Sequence, residues 1–203
     1  MSSSLSAYLI DPTAARGFVG SGDEQLLQVI RDEFGKTLAA DDAWFSSQIE
    51  EGAPTAYEAL HAVVHDGPYS DNPDHAFQYG YAYKRLVSLA GSFLDNSNFC
   101  PFRGSWLEVV DEGLQALRIT AVSVAEFGHS SGMPDGIPCS YLPGCGEWTH
   151  ERCLEALEQF EQTKRDDHAP PLDPEVVDAV FDVISWLRHA QAHPGFGVIG
   201  FVS

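Results

Sequence analysis

The sequence is poor in basic residues. Its 203 residues include 11 lysines and arginines against 30 aspartates and glutamates, for a formal net charge of −19 at pH 7. A surface of that charge repels the phosphate backbone of nucleic acids and the headgroups of anionic lipids. The composition therefore argues against direct binding of nucleic acid or of a membrane surface, and it favours a basic protein as partner.

Long hydrophobic runs are also missing. No stretch approaches the roughly 18 apolar residues of a membrane-spanning helix, and no lysine or arginine precedes the short apolar run at residues 8–10. The sequence thus lacks the basic and then apolar pattern of a secretion signal. We expect a cytoplasmic protein, in which the four cysteines are thiols or metal ligands rather than disulfides.

Nucleotide-binding motifs give no support for a cofactor. The sequence contains no G-x-x-x-x-G-K-[ST] phosphate loop. The residues Gly195-Phe-Gly197-Val-Ile-Gly200 satisfy G-x-G-x-x-G, but a helix is expected before them and three residues follow. A dinucleotide site needs this motif after a strand and at the start of a helix, so we reject it as a cofactor motif.

The apolar pattern predicts a helix-rich α+β fold with a single globular domain over residues 1–203. Strands are expected at 4–10, 119–124 and 196–202, and these N-terminal, central and C-terminal strands are expected to form one small sheet. Gly35 is expected to end one helix and Asp41 to begin the next. Residues 128–148, with five glycines and three prolines, predict an irregular loop, and residues 163–173 predict a charged linker.

Four potential zinc ligands lie in or next to that loop. Cys139, Cys145, His150 and Cys153 have the spacing C-x5-C-x4-H-x2-C, and thiolate and imidazole are the groups that zinc prefers. The alternative is that the cysteines are small buried apolar residues. A zinc ion here would support one of two functional hypotheses, a metal-dependent, hydrolase-like enzyme with the loop 128–148 over its active site.

Two histidine pairs have helical spacing. His61 and His65 lie one turn apart with Glu58 a turn before them, and His189 and His193 repeat the spacing near the C-terminus. A metal could bind either pair. Neither pair has the intervening glutamate of H-E-x-x-H, and histidines near the end of a helix are explained by its dipole and free carbonyl groups.

The distribution of charge favours the other hypothesis, a protein-binding module. No lysine or arginine occurs between Lys36 and Lys84, whereas this segment is rich in acids. An acidic surface steers a basic partner towards it, and an aromatic side chain can anchor the complex. The partner-binding residues predicted here are Asp41, Asp42, Trp44, Glu50, Glu51 and Glu58. The alternative is that Trp44 belongs to the core and that the acids are merely solvated.

Four segments resemble an uncharacterised bacterial domain family of unknown function. They are GSGDEQLL at 20–27, ADDAWF at 40–45, FCPFRGSWLEVVDEGL at 99–114 and GEWTH at 146–150. The resemblance extends over most of the chain and implies no catalytic residue. We therefore expect an acidic cytosolic binding module, of the kind represented by immunity proteins that mask a basic effector, with the metal-dependent enzyme as the alternative.

Overall fold

A four-stranded antiparallel sheet organises the computed structural model, which describes residues 2–203. Its strands are β1 (Leu5–Ile10), β2 (Ser92–Leu94), β3 (Gly144–Trp148) and β4 (Gly197–Val202), in the order β2-β1-β4-β3. Eight α-helices accompany it: α1 (Pro12–Arg16), α2 (Glu24–Trp44), α3 (Ser46–Glu50), α4 (Ala56–His65), α5 (Ala76–Ala90), α6 (Trp106–Ala116), α7 (His150–Arg165) and α8 (Pro174–Ala192). None of the helices described is both long and apolar enough to cross a bilayer.

Both faces of the sheet are covered by helices. Successive side chains of a strand point to opposite faces, and in β1 Leu9 packs in one core while Tyr8 and Ile10 pack in the other. The first core also contains side chains of α6, α7 and α8, and the second contains side chains of α1, α2, α4 and α5. All six residues of the central strand β4 are buried. The two cores share one sheet, which confirms a helix-rich α+β domain.

The N-terminal and C-terminal strands belong to one sheet, as predicted, and they form its middle. The N-terminal strand and the C-terminal strand pair along their whole length, from Leu5 with Val202 to Ile10 with Gly197. The string at residues 195–200 forms a turn and most of β4, which agrees with its rejection as a cofactor motif. Gly200 is required for packing, because a Cβ atom there would lie 2.6 Å from the ring of Phe127.

The position predicted for the central strand is wrong. Residues 119–124 form no strand, and the sheet instead includes β3, at the end of the segment expected to be an irregular loop. Ile119, Val122 and Val124 are buried as expected. However, backbone N–H groups of this segment donate to side chains of other elements rather than to a neighbouring strand. Gln159 accepts hydrogen bonds from Thr120 N and Ala121 N, and Asp111 accepts one from Val124 N. With these donors already paired, the segment needs no neighbouring strand.

The helix boundary predicted at Gly35 is also wrong. Helix α2 continues through Gly35 and Asp41 to Trp44. A glycine inside a helix is destabilising by only about 0.5–1 kcal/mol relative to alanine, and burial of Leu27, Ile30 and Leu38 along the helix outweighs that amount. Helix α7 similarly extends to Arg165, into the predicted linker.

Candidate functional site

A cavity of about 430 Å³ opens between β1, α2, α4 and α5. Its lining includes Asp41 and Trp44, two of the residues predicted to bind a partner. The volume lies within the range of sites for small ligands, about 300–1,000 Å³. Residues 128–148 contribute nothing to the lining of this cavity, so the loop does not cover it.

At the end of α2, Asp41 lines the cavity and the adjacent Asp42 joins α2 to α4. Asp41 forms an ion pair with Arg85 of α5, whose side chain is only 19% exposed. The carboxylate of Asp42 accepts a 2.7 Å hydrogen bond from Ala56 N, in the first turn of α4, where backbone N–H groups have no partner within the helix. These two carboxylates hold the C-terminal end of α2 against α4 and α5.

Aromatic rings form the mouth of the cavity. Trp44 is 83% exposed, which excludes the alternative that it belongs to the core. The ring of Phe45 lies 4.9 Å from that of Phe77 and 5.3 Å from that of Tyr81, between centroids. Burial, with a smaller contribution from Asp41, raises the pKa of Tyr81. The rings of Trp44, Phe45 and Tyr81 therefore offer apolar contact surface beside polar groups.

The inner wall presents hydrogen-bond donors that lack acidic partners. Lys84 Nζ donates a 3.1 Å hydrogen bond to Ser203 Oγ, and among residues 2–203 it takes part in no ion pair. Burial, together with the neighbouring Arg85, lowers the pKa of Lys84. Gln78 is 2% exposed, and its Nε2 has no hydrogen-bond partner. Buried donors are normally paired, so these two groups mark the wall as a place where a ligand could supply acceptors.

Of the other predicted partner-binding residues, Glu58 has a structural role, whereas Glu50 and Glu51 do not. The Glu58 carboxylate accepts 2.8 Å hydrogen bonds from Thr55 N and Thr55 Oγ1 in a capping box, and the backbone hydrogen bond lowers its pKa. Glu50 and Glu51 are exposed, and no side-chain hydrogen bond or ion pair of theirs occurs within the described part of the chain. Only these two acids therefore lack a structural role.

The four predicted zinc ligands are not brought together. Cys145 of β3 packs in the core that contains α5, and Cys153 of α7 packs in the core on the opposite face of the sheet. Burial raises the pKa of both thiols, that of Cys153 to about 12. His150 Nδ1 lies 2.9 Å from Phe196 O, and Cys139 is exposed. We therefore place no metal at this set.

The loop also contains a serine motif of the kind found in some hydrolases. Residues 128–132 read G-H-S-S-G and satisfy G-x-S-x-G, which in hydrolases follows a strand and precedes a helix. Here it follows a 3-10 turn that ends at Gly128, and no helix begins before His150. Ser130 Oγ donates to Ser140 O at 2.9 Å. The motif therefore lacks the geometry of a nucleophile elbow.

The sequence contains signals for the inner wall that were overlooked. Lys84 and Arg85 are the first basic residues after the long stretch without any. Gln78 stands at i−4 and i−8 from Ala82 and Leu86, which are buried residues of α5. A polar residue on the apolar face of a helix requires a partner, and this makes it a candidate for a site.

No curated protein and no solved structure matches the chain. A family model does match, over residues 1–203, and it agrees with the resemblance found in the four sequence segments. The chain belongs to this family, a domain of unknown function (DUF7691).

Proposed function

We propose that this protein is a binding module, and that the cavity beside Trp44 binds an anionic group carried on a flat apolar body. The observation that carries the proposal is Lys84, a residue of the cavity lining that forms no ion pair within residues 2–203. In a chain where acids outnumber bases by 30 to 11, a nearby carboxylate would be easy to supply. The carboxylate that does line the cavity, that of Asp41, is paired with Arg85 rather than with Lys84, which favours a ligand as the source of the negative charge.

The charges within the cavity support an anion over a cation. Three charged side chains line it: Asp41, Lys84 and Arg85. Because Asp41 is paired with Arg85, one positive charge remains. At short range in a partly enclosed site this charge outweighs the acidic residues elsewhere, since charges more than about 8 Å away are screened at physiological ionic strength.

The shape of the cavity supports a ligand with an aromatic or other flat portion. Trp44, Phe45 and Tyr81 all line the cavity, and the rings of Phe45 and Tyr81 lie 5.3 Å apart between centroids with their planes tilted by 44°. Stacking on such rings adds about 0.5–1.5 kcal/mol to the burial of apolar area. Gln78 adds a carboxamide that can pair with a second acceptor on the ligand.

Three probes of one shape and different charge test the proposal. Phenylacetate, phenylacetamide and phenethylamine are titrated into the protein while tryptophan fluorescence is recorded. Trp44 is the most exposed indole, and Trp148 and Trp186 are fully buried. Phenylacetate should bind with a Kd on the order of millimolar, as expected for about ten non-hydrogen atoms at roughly 0.3–0.5 kcal/mol each, and phenethylamine should bind at least about tenfold more weakly.

Matched variants assign the selectivity to the cavity. Lys84→Met keeps the aliphatic stem and removes the charge, so it should abolish the preference for phenylacetate over phenylacetamide. Lys36→Met is the control, because Lys36 is exposed on α2 and does not line the cavity. Tighter binding of phenethylamine, or equal loss of selectivity in both variants, contradicts the proposal.

A second candidate is the docking of a basic protein on the same part of the chain. Its specific support is that Glu50 and Glu51 are exposed and that Trp44, six residues before Glu50, is 83% exposed. Exposed aromatic side chains beside acids are typical anchors for a basic partner. An immunity-type inhibitor that masks a basic effector belongs to this class and is kept as a proposal.

An octalysine peptide serves as the probe for this second candidate. Glu50→Ala combined with Glu51→Ala should weaken its binding and reduce the dependence of binding on salt, without changing the thermal midpoint. The matched control is Glu108→Ala combined with Glu112→Ala, two exposed acids of α6. If both double variants weaken binding equally, only the net charge matters and the surface is not a docking site.

A further inference from the structure

We infer a metal site formed by Glu24, His61 and His65. Their ligand atoms all lie within 4.8 Å of one another. The His61–His65 pair was recognised from its helical spacing, but the third ligand is Glu24 of α2 rather than Glu58, whose carboxylate caps α4. Glu24 and His61 are 37 residues apart in sequence, which explains why spacing along the chain does not reveal the set.

Helix α4 places the two imidazoles side by side. His61 and His65 are at i and i+4, and their ring centroids are 4.3 Å apart with the planes tilted by 37°. One turn of helix brings such side chains to the same face, which is how pairs of histidines on helices bind a single ion. Both rings lie at the C-terminal end of α4, which ends at His65.

The backbone holds Glu24 at this end of α4. Gly20 N donates to Val63 O at 3.0 Å, and Gly22 N donates to Val64 O at 2.8 Å. Both glycines have positive φ, 68° and 63°, which residues with a Cβ atom rarely adopt. The Asp23 carboxylate then caps α2 by accepting from Leu26 N, so Glu24 begins α2 directly beside the histidines.

A second observation concerns His65, which has a buried ring nitrogen without a hydrogen-bond partner. Its Nε2 is buried and makes no hydrogen bond, although Glu24 Oε1 lies 3.0 Å away. This 3.0 Å separation is close to the roughly 3.3 Å between two ligand atoms of one tetrahedral ion. A bound ion would satisfy the nitrogen and compensate for its burial.

The ligand set fits a divalent first-row transition ion. Imidazole nitrogen and carboxylate oxygen bind Zn²⁺ at about 2.0–2.2 Å, so two ligands of one tetrahedral ion are roughly 3.3 Å apart. The observed separations need only small rotations of the exposed side chains, because Glu24 is 70% exposed and His61 lies at the surface. Three protein ligands leave at least one coordination position for water or another ligand.

Calorimetric titration of the untagged full chain tests the site, with ZnCl2 as the probe after treatment with chelator. We expect one equivalent per chain. CoCl2 should give visible absorption bands of a four- or five-coordinate ion with nitrogen and oxygen ligands. In NMR spectra, the ring resonances of His61 and His65 should be the ones that shift when zinc is added.

His61→Ala and Glu24→Gln should each weaken binding at least tenfold, since even the loss of a group that only orients a ligand weakens metal affinity about 10–100-fold. His189→Ala is the matched control. It belongs to the other i, i+4 pair, in which His193 Nδ1 lies 2.8 Å from His189 O, and it should leave the affinity unchanged. Glu33→Gln, another exposed acid of α2, controls for the loss of one negative charge.

Three results would overturn the inference. The first is zinc binding that does not weaken in His61→Ala or Glu24→Gln, and the second is equal weakening in His189→Ala, which would indicate nonspecific binding to surface histidines. The third is a stoichiometry of zero, which would mean that Glu24 and His65 form only an ion pair. Thermal denaturation without metal shows whether each variant folds, so none of these results can be attributed to misfolding.

Discussion

Replacement of Asp41 by asparagine should destabilise the fold and tighten the binding of an anion in the cavity. Asp41 pairs with Arg85, whose side chain is 19% exposed, while that of Asp41 is 38% exposed. Removal of one member of a fully buried pair costs about 3–5 kcal/mol, and an exposed pair contributes about 0–1 kcal/mol. We therefore expect Asp41→Asn to reduce the free energy of unfolding by about 1–3 kcal/mol.

The same change removes the negative charge of Asp41, so the net charge of the residues lining the cavity becomes more positive by one. A unit charge about 6 Å from a bound carboxylate contributes on the order of 1 kcal/mol at an effective dielectric constant near 60. Phenylacetate should therefore bind about three- to tenfold more tightly to Asp41→Asn. A variant that is less stable and yet binds phenylacetate more tightly cannot be explained by a general loss of structure.

Thermal unfolding and the fluorescence titration measure the two effects. A chain of this length loses roughly 2–4 °C of thermal midpoint per kcal/mol, so a fall of about 2–12 °C is expected. Asp42→Asn is the control, because it removes the same charge yet keeps an oxygen that can accept the hydrogen bond from Ala56 N. The reasoning is refuted if Asp42→Asn tightens phenylacetate binding as much as Asp41→Asn, or if Asp41→Asn weakens it.

Two further predictions concern the fold. Gly200→Ala should lower the free energy of unfolding by about 1–3 kcal/mol, because the added Cβ atom would overlap the Phe127 ring. Denaturant titrations measure this change. An unchanged free energy of unfolding would contradict the prediction and would show that the ring can move. Glu58→Gln should lower stability at pH 7 by up to about 1 kcal/mol and have less effect at pH 3. The native pKa of Glu58 is lowered, so the stabilisation that its carboxylate provides is present above the ordinary value of 4.5 and disappears as the pH falls through the lowered pKa. Unfolding curves at the two pH values measure this difference. A larger effect of the substitution at pH 3 than at pH 7 would contradict the prediction.

Much of the fold could be predicted from periodicity. The apolar pattern at residues 4–10 and 196–202 identified the two strands that form the middle of the sheet. The third strand was misplaced because its sequence, Gly-Cys-Gly-Glu-Trp, has a low strand propensity. It forms because Gly144 and Gly146 allow the 3-10 turn at Ala125–Gly128 to pack directly on the sheet.

The candidate site was predictable only in part. The acidic segment led to Asp41 and Trp44, which do line the cavity. Charge counting did not show that Asp41, Asp42 and Glu58 are engaged in an ion pair and in helix capping, because those partners are set by tertiary structure. The metal ligand Glu24 was missed for the same reason, since its position beside His65 depends on the backbone hydrogen bonds of Gly20 and Gly22.

The pairing of β1 with β4 has a consequence for synthesis of the protein. Leu5 pairs with Val202, so the centre of the sheet cannot assemble on the ribosome until Val202 has emerged. Until then both helical layers lack the surface on which they pack, and the nascent chain exposes apolar side chains. Contacts between residues so distant in sequence slow folding. We therefore expect the domain to fold only after Val202 has left the ribosome, and to be most vulnerable to aggregation and proteolysis before then.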